Sequence, residues 1–229
     1  MNVMFRSAIA ESGFAVIPDV LTQAEILNIV GKLQDAALRR SRAGIRHLMS
    51  NADVSRLAYE PCLLALAREV LGSTAFPFRA TLFDKSPTAN WLVVWHQDTA
   101  LPLRCRKEAH GWGPWSVKEG ITYAHAPTQA LDKVVALRVH LDNSTEQNGP
   151  LRVIPGTHKL GVLTDDEVFE LSTQRVAVDC LVPRGAVLVM RPLLIHSSSK
   201  SQTDTPRRVL HIEYASSTSV GDALELAVA

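Results

Sequence analysis

Cysteine is scarce in this chain: Cys62, Cys105 and Cys180 are its three, odd in number and not in paired spacings. That argues against a disulfide framework or a structural zinc site and fits a reducing compartment. No apolar stretch reaches the ~20 residues of a membrane span, and the opening MNVMFRSAIAESG lacks the apolar run of a signal peptide. Excess charge of either sign is missing too, with 24 Lys and Arg against 23 Asp and Glu and a formal net charge of +1. A near-neutral chain offers no broad field to nucleic acid or to an acidic membrane, so any electrostatic recognition is local. Internal repeats and low-complexity tracts are absent as well. A cytoplasmic enzyme or binding protein of small molecules is the expectation.

What is present suits one compact domain over residues 1–229: 229 residues with 46% hydrophobic and 21% charged side chains are enough for a real core. Residues 1–72 read as helical. Thr22 and Glu25 form a capping-box pattern, followed at helical spacing by Ile26, Ile29, Val30, Leu33 and Ala37. A second helix is expected over Pro61–Val70, closed by Gly72. Residues 73–214 read as short strands at Phe76–Phe83, Leu92–Gln97, Val134–Leu141, Leu151–Ile154, Ala177–Val182, Ala186–Met190 and Val209–Tyr214. With turn residues between them and no helical crossovers, they predict a mainly β sandwich or barrel behind N-terminal helices. Residues 101–130 interrupt the short-loop pattern and read as a lid, packed down by Trp112 and Trp115.

The chemistry concentrates in WLVVWHQD, residues 91–98. On a strand His96 and Asp98 point to one side and Gln97 to the other. Two ligands from one strand and a third from elsewhere would occupy one face of an iron(II) octahedron. Three positions then stay open for a bidentate co-substrate and dioxygen. An isolated H-x-D triplet is more often structural, so its context decides. Here an apolar, strand-like run delivers His196, and a polar loop leads on to Pro206, Arg207 and Arg208. A guanidinium one strand beyond the distal ligand suits the C5 carboxylate of 2-oxoglutarate. Arg207 and Arg208 face opposite ways, so one of them enters the pocket.

His-Gln-Asp at 96–98, the run Asn148-Gly149-Pro150-Leu151 into Val153-Ile154-Pro155-Gly156-Thr157-His158, His196 and Pro206-Arg207 together resemble the phytanoyl-CoA dioxygenase family. The resemblance implies a double-stranded β-helix (jelly roll, cupin-like) and a 2-oxoglutarate-dependent dioxygenase using iron(II) and O2. It implies His96, Asp98 and His196 as metal ligands, Arg207 as the co-substrate arginine, and Ser198 as a hydroxyl assisting it. It implies a structural turn role for His158. Because related halogenases lack the carboxylate, Asp98 favours hydroxylation of an unactivated C–H bond or another oxidation of the same kind. Arg138 departs from the family, whose members tend to carry an aromatic residue there; it is expected to contact 2-oxoglutarate, to bind a substrate carboxylate, or to sit in a salt bridge.

Arg79, Thr81 and Phe83 share a strand face ahead of the ligand strand. Thr81 is expected beside the co-substrate, and Arg79, Phe83, Gln97, Trp112 and Trp115 beside the substrate. The segment's cations, Arg104, Arg106, Lys107, His110 and Lys118, interleave with its tryptophans and suit an acidic or amphipathic small molecule, or equally a solvated surface. The chain does not end in Ser-Lys-Leu, which argues against a peroxisomal fatty acyl-CoA hydroxylase. Two other readings stand beside the oxygenase. One is a metal-dependent jelly-roll hydrolase or isomerase, which has no need of Arg207; the other is a non-catalytic binding protein on the same scaffold.

Overall fold

The computed structural model describes residues 3–35, 44–86 and 89–229. The chain opens with α1 (Val3–Ser12), β1 (Phe14–Ile17), α2 (Gln23–Asp35), α3 (Ala52–Ala58) and α4 (Pro61–Leu71). Strands β2 (Phe76–Lys85), β3 (Val93–His96), β4 (Ala100–Leu103), β5 (Trp115–Lys118) and β6 (Ile121–His125) follow. A short α5 (Thr128–Leu131) leads to β7 (Val134–His140), β8 (Leu151–Val153) and α6 (Asp165–Gln174). Then come β9 (Val178–Cys180), β10 (Val187–Met190), β11 (His196–Ser198) and β12 (Arg207–Ala215).

Two antiparallel sheets, β1-β10-β7-β12-β2 and β3-β11-β8-β9, supply the walls of a jelly roll. The two faces of the larger sheet are chemically opposite, and strand alternation makes them so. From β7, Val135, Leu137 and Val139 pack into the helical core with Ile26, Leu63 and Leu66. Ala136, Arg138 and His140 alternate with them and so turn inward. Register puts Arg138 beside His211 of β12, and places Arg207 beside Lys85 of β2.

The predicted cap at α2 forms: the Thr22 hydroxyl accepts from Glu25 N at 3.3 Å and the Glu25 carboxylate accepts from Thr22 N at 2.7 Å. Ile26, Ile29 and Leu33 are buried, and Ala37 lies outside the described residues. Helix α4 begins at Pro61 and is closed by Gly72 with φ 91.

Two expectations are corrected. Residues 101–130 are not an irregular lid but include a β4-β6-β5 sheet, built around a buried cluster of Leu101, Leu103, Trp112 and Ala124. The apolar run before His196 is a turn, and the strand begins at His196 itself. A helix does follow β8: the Thr164 hydroxyl and the Glu167 carboxylate cap α6 reciprocally. It joins two antiparallel neighbours, β8 and β9, and so creates no parallel crossover.

Candidate metal and co-substrate site

His96 and His196 are direct register partners across β3 and β11, and their ring centroids lie 4.2 Å apart. Each ring is fixed by the carbonyl two residues before it: His96 Nδ1 lies 2.9 Å from Val94 O in β3, and His196 Nδ1 lies 2.8 Å from Leu194 O in the turn ahead of β11. With Nδ1 carrying the proton to those carbonyls, both Nε2 lone pairs are free. Asp98 stands against both, with oxygens 3.7 Å from His96 Nε2 and 3.5 Å from His196 Nε2. One donor atom from each of the three residues lies within 4.8 Å of the others. Burial pushes His196 down to about 4, helped by neighbouring His96, so its imidazole is neutral at pH 7. Burial also opposes the Asp98 charge, yet His196 and His96 outweigh it and hold the carboxyl well below its ordinary range. Burial opposes the charge of His96 as well, but the Asp98 carboxylate outweighs it and raises that imidazole. Two imidazoles and one carboxylate on one side of a cavity are the donor set that iron(II) takes.

The sequence around this cluster holds it in place. Thr157, in the Pro-Gly-Thr-His turn, donates its hydroxyl to Ile154 O at 2.8 Å and accepts from Ile195 N at 2.9 Å, fixing the residue before His196. His158 projects from that turn against Gly13 and away from the cluster. Gln97 faces opposite to His96 and Asp98, and there it ties loops together. It donates to Gly161 O at 2.9 Å and Leu193 O at 2.8 Å, and accepts from Leu163 N at 2.9 Å. The expected substrate contact of Gln97 is therefore corrected to a structural one.

The cluster opens into a cavity of about 410 Å³ lined by Phe83, Lys85, Trp91, Val94, Arg138, Leu151, Ser198 and Arg207, among others. At one end Ser198 is a shared hub. Its hydroxyl donates to Gly149 O at 2.9 Å and lies 2.7 Å from Lys85 Nζ and 3.3 Å from Arg207 Nη2. Lys85 Nζ also donates to Ser199 O. Arg207 Nε donates to Asn148 O at 3.2 Å, while its buried Nη1 has no partner. The Asn148-Gly149 pair thus supplies two carbonyls to this corner. Gly149, at φ 67, lies so close to Ser199 O that a Cβ would clash. Burial, then the charge of Arg138, brings Arg207 down to about 9; burial, then Arg207 and Arg138, brings Lys85 down to about 7. Arg208 points the other way, into a two-pronged pair with Asp142 at 2.8 Å.

Other expected positions fall elsewhere. Arg79 is paired with buried Glu213, which burial pushes up to about 7, and donates to Ala100 O at 2.8 Å, and it does not line the cavity. Thr81 is buried beside His211 and does not line the cavity. Trp112 is buried, donating Nε1 to Asp222 at 3.1 Å. Trp115 packs on the same cluster with Arg106 over its ring at 5.6 Å. Both tryptophans are fold anchors. The cations of this segment are met locally, Arg104 by Glu225 and Arg106 by Glu108, and none of them lines the cavity. Lys85 and Trp91 were missed by sequence reasoning. The alternation that placed Arg79, Thr81 and Phe83 on one face extends one step further to Lys85 and could have found it.

Residues 9–209 match the family described as phytanoyl-CoA dioxygenase (PhyH). Among curated proteins, L-proline trans-4-hydroxylase of Streptomyces griseoviridis is 24% identical over 240 residues, covering 88% of this chain and 82% of that protein. Ectoine dioxygenase of Bordetella bronchiseptica is 23% identical over 163 residues, covering 64% of this chain and 46% of that one. Among solved structures, EctD from S. alaskensis with bound Fe superposes with a TM-score of 0.71 at 20% identity, over 94% of this chain and 76% of that one. With the family matched across most of its length, the chain belongs to the phytanoyl-CoA dioxygenase family.

Proposed function

We propose that His96, Asp98 and His196 hold the iron(II) of this 2-oxoglutarate-dependent dioxygenase, and that Arg207, Lys85 and Ser198 hold the C5 carboxylate of 2-oxoglutarate. The observation that carries the reading is the pairing, in one cavity, of a two-histidine, one-carboxylate cluster with a buried guanidinium whose Nη1 has no partner. An orphaned buried donor is costly unless a ligand meets it, and a carboxylate meets a guanidinium edge in a two-pronged fashion.

Bound iron(II) supplies the coupling of dioxygen reduction to oxidative decarboxylation of 2-oxoglutarate, and hence oxygen insertion at an unactivated C–H bond. The chain's own residues do the positioning. The carbonyls of Val94 and Leu194 keep both Nε2 atoms aimed at one point. Asp98 stays ionised, so one carboxylate charge is permanently available to the metal. Arg207 and Lys85 fix the far end of the co-substrate, and its near end is thereby directed at the cluster. Phe83, Trp91, Leu92, Val94 and Leu151 form an apolar wall that keeps water from the reacting bond and accepts the body of a small molecule. Proline and ectoine, named for the two curated relatives, set the size of substrate expected.

Anaerobic addition of iron(II) and 2-oxoglutarate is expected to give a weak visible charge-transfer band. Admitting oxygen with a substrate is expected to yield succinate. Folded, metal-loaded protein without the band would overturn the reading.

A further inference from the structure

We infer that Arg138 is the substrate-recognition residue of this enzyme, and that it selects a small anion with one carboxylate and an apolar body rather than an amino-acid zwitterion. This rests on the reading of the cavity as an iron and 2-oxoglutarate site.

Arg138 lies on the inner face of the larger sheet, is 6% exposed, and lines the cavity. Its guanidinium sits 5.2 Å over the Phe83 ring, with Nη1 3.1 Å from His211 Nδ1. Nε is buried with no partner. No ion pair to Arg138 exists among the described residues, so the salt-bridge expectation is corrected. A buried, uncompensated guanidinium is expensive, and proteins keep such groups where a ligand completes them.

The charges decide which ligand. Arg138, Arg207 and Lys85 line the cavity, and Asp98 is the sole acidic side chain that does. The segments outside the described residues contain no Asp or Glu. Iron(II) and the 2-oxoglutarate dianion cancel each other. Asp98 offsets one cation, and Lys85, brought down to about 7, can shed its proton. At least one positive charge is still uncompensated. The C5 carboxylate is met by Arg207 and Lys85, and the C1 carboxylate by the metal. Arg138 stands four residues along β12's register from Arg207, beside His211, about 13 Å of strand away from that clamp. The charge of Asp98 reaches Arg138, but Asp98 is committed to the metal on this reading, and a carboxylate on the substrate balances Arg138. An α-ammonium group would meet several cations and no free carboxylate, which discriminates against zwitterions by repulsion as well as by lost attraction.

The test is anaerobic calorimetric titration of the iron(II)–2-oxoglutarate complex with two matched series: hexanoate, hexanamide and norleucine; and 3-phenylpropanoate, 3-phenylpropanamide and phenylalanine. In at least one series the acid is expected to bind roughly tenfold or more tighter than its amide and its amino acid. Arg138→Met is expected to erase that preference and to leave the Kd for 2-oxoglutarate within about threefold of the wild type. Arg138→Lys is expected to restore part of it. If neither acid outbinds its amide in the wild type, the proposal is wrong, whatever the variants do. It is also wrong if Arg138→Met costs 2-oxoglutarate roughly tenfold while the acid preference survives, for then Arg138 serves the co-substrate. If the wild type binds neither iron(II) nor 2-oxoglutarate, the oxygenase reading has failed, and that result is seen before any substrate analogue is added.

Discussion

At the scale of single residues, charge governs this cavity. Asp98→Ala removes the anion between two imidazoles. Metal binding and 2-oxoglutarate-dependent succinate formation are expected to fall to background while far-ultraviolet circular dichroism is unchanged. Retained turnover would show that another carboxylate is the ligand. On the proposed assignment, Arg207→Met removes one side of a buried, hydrogen-bonded ion pair with the co-substrate. That costs about 2–5 kcal/mol, or roughly thirty-fold or more in the Kd for 2-oxoglutarate, as titration would show. Lys85 gives a pH dependence whose sign can be worked out. Burial, then Arg207 and Arg138, lowers it from 10.5 to about 7. Between those values the unfolded chain holds a proton that the native chain has released, so stability from this group rises with pH across the window. The stability advantage of ligand-free Lys85→Met over wild type is therefore expected to be largest at or below pH 7 and to vanish toward 10.5. A dianion draws the proton back, so 2-oxoglutarate binding near pH 8 is expected to take up protons in wild type and less in Lys85→Met. Calorimetry in two buffers of different ionisation enthalpy measures this, and equal uptake in both proteins would remove Lys85 from the clamp.

At the scale of elements, the loops behind the ligands matter as much as the strands that bear them. Gly149, at φ 67 and pressed against Ser199 O, delivers the carbonyl that anchors Ser198. Gly149→Ala adds a left-handed backbone cost of about 1–2 kcal/mol and a steric clash. It is expected to lower Tm and weaken 2-oxoglutarate, with iron(II) affinity nearly unchanged; a Kd for 2-oxoglutarate equal to wild type would show that this corner tolerates the shift. Elements with a strong local signature were legible: the Thr22–Glu25 cap, Pro61 and Gly72 around α4, and the alternation in β2, β7 and β12. The cluster of His96, Asp98 and His196 was legible in part because two of its members are two residues apart, although β3 ends at His96 and Asp98 lies just beyond it. What escaped reading lacked such a period. Strand β4 contains Pro102 and is only four residues long, and β5 mixes half-buried and exposed positions without alternation, so a sheet read as a lid. Trp112 and Trp115 looked like ligand contacts because an aromatic in a long segment suits a lid and a core anchor equally. Lys85 was passed over because a strand-end lysine is ordinarily solvated, and only tertiary packing reveals that it is buried.

At the scale of the whole molecule, one sheet does two opposed jobs. Its outer face buries Val135, Leu137 and Leu210 against the helices, and that burial must support an inner face carrying Arg138, Arg207 and Lys85 around one cavity. The ligand-free protein therefore holds repulsion that the unfolded chain, with its cations in water, does not. Ligands that bind only the folded state relieve it and stabilise by mass action, about 2.7 kcal/mol at a hundredfold excess over Kd. In a chain of 229 residues each kcal/mol moves Tm by roughly 2–4 °C. Saturating 2-oxoglutarate with a divalent metal is thus expected to raise Tm by about 5–11 °C. The proposed site, in which one end of the co-substrate meets the metal and the other meets Arg207, also requires the two ligands to be coupled. Linkage is reciprocal, so manganese(II) must tighten 2-oxoglutarate by the same factor by which 2-oxoglutarate tightens manganese(II). Arg207→Met is expected to weaken the co-substrate with and without metal alike, leaving that factor intact, whereas Asp98→Ala should bring it close to one. Both factors follow from titrating each ligand in the absence and presence of the other. Loss of coupling in Arg207→Met with retention in Asp98→Ala would mean that the cluster and the clamp serve different ligands, and the single-site reading would fall.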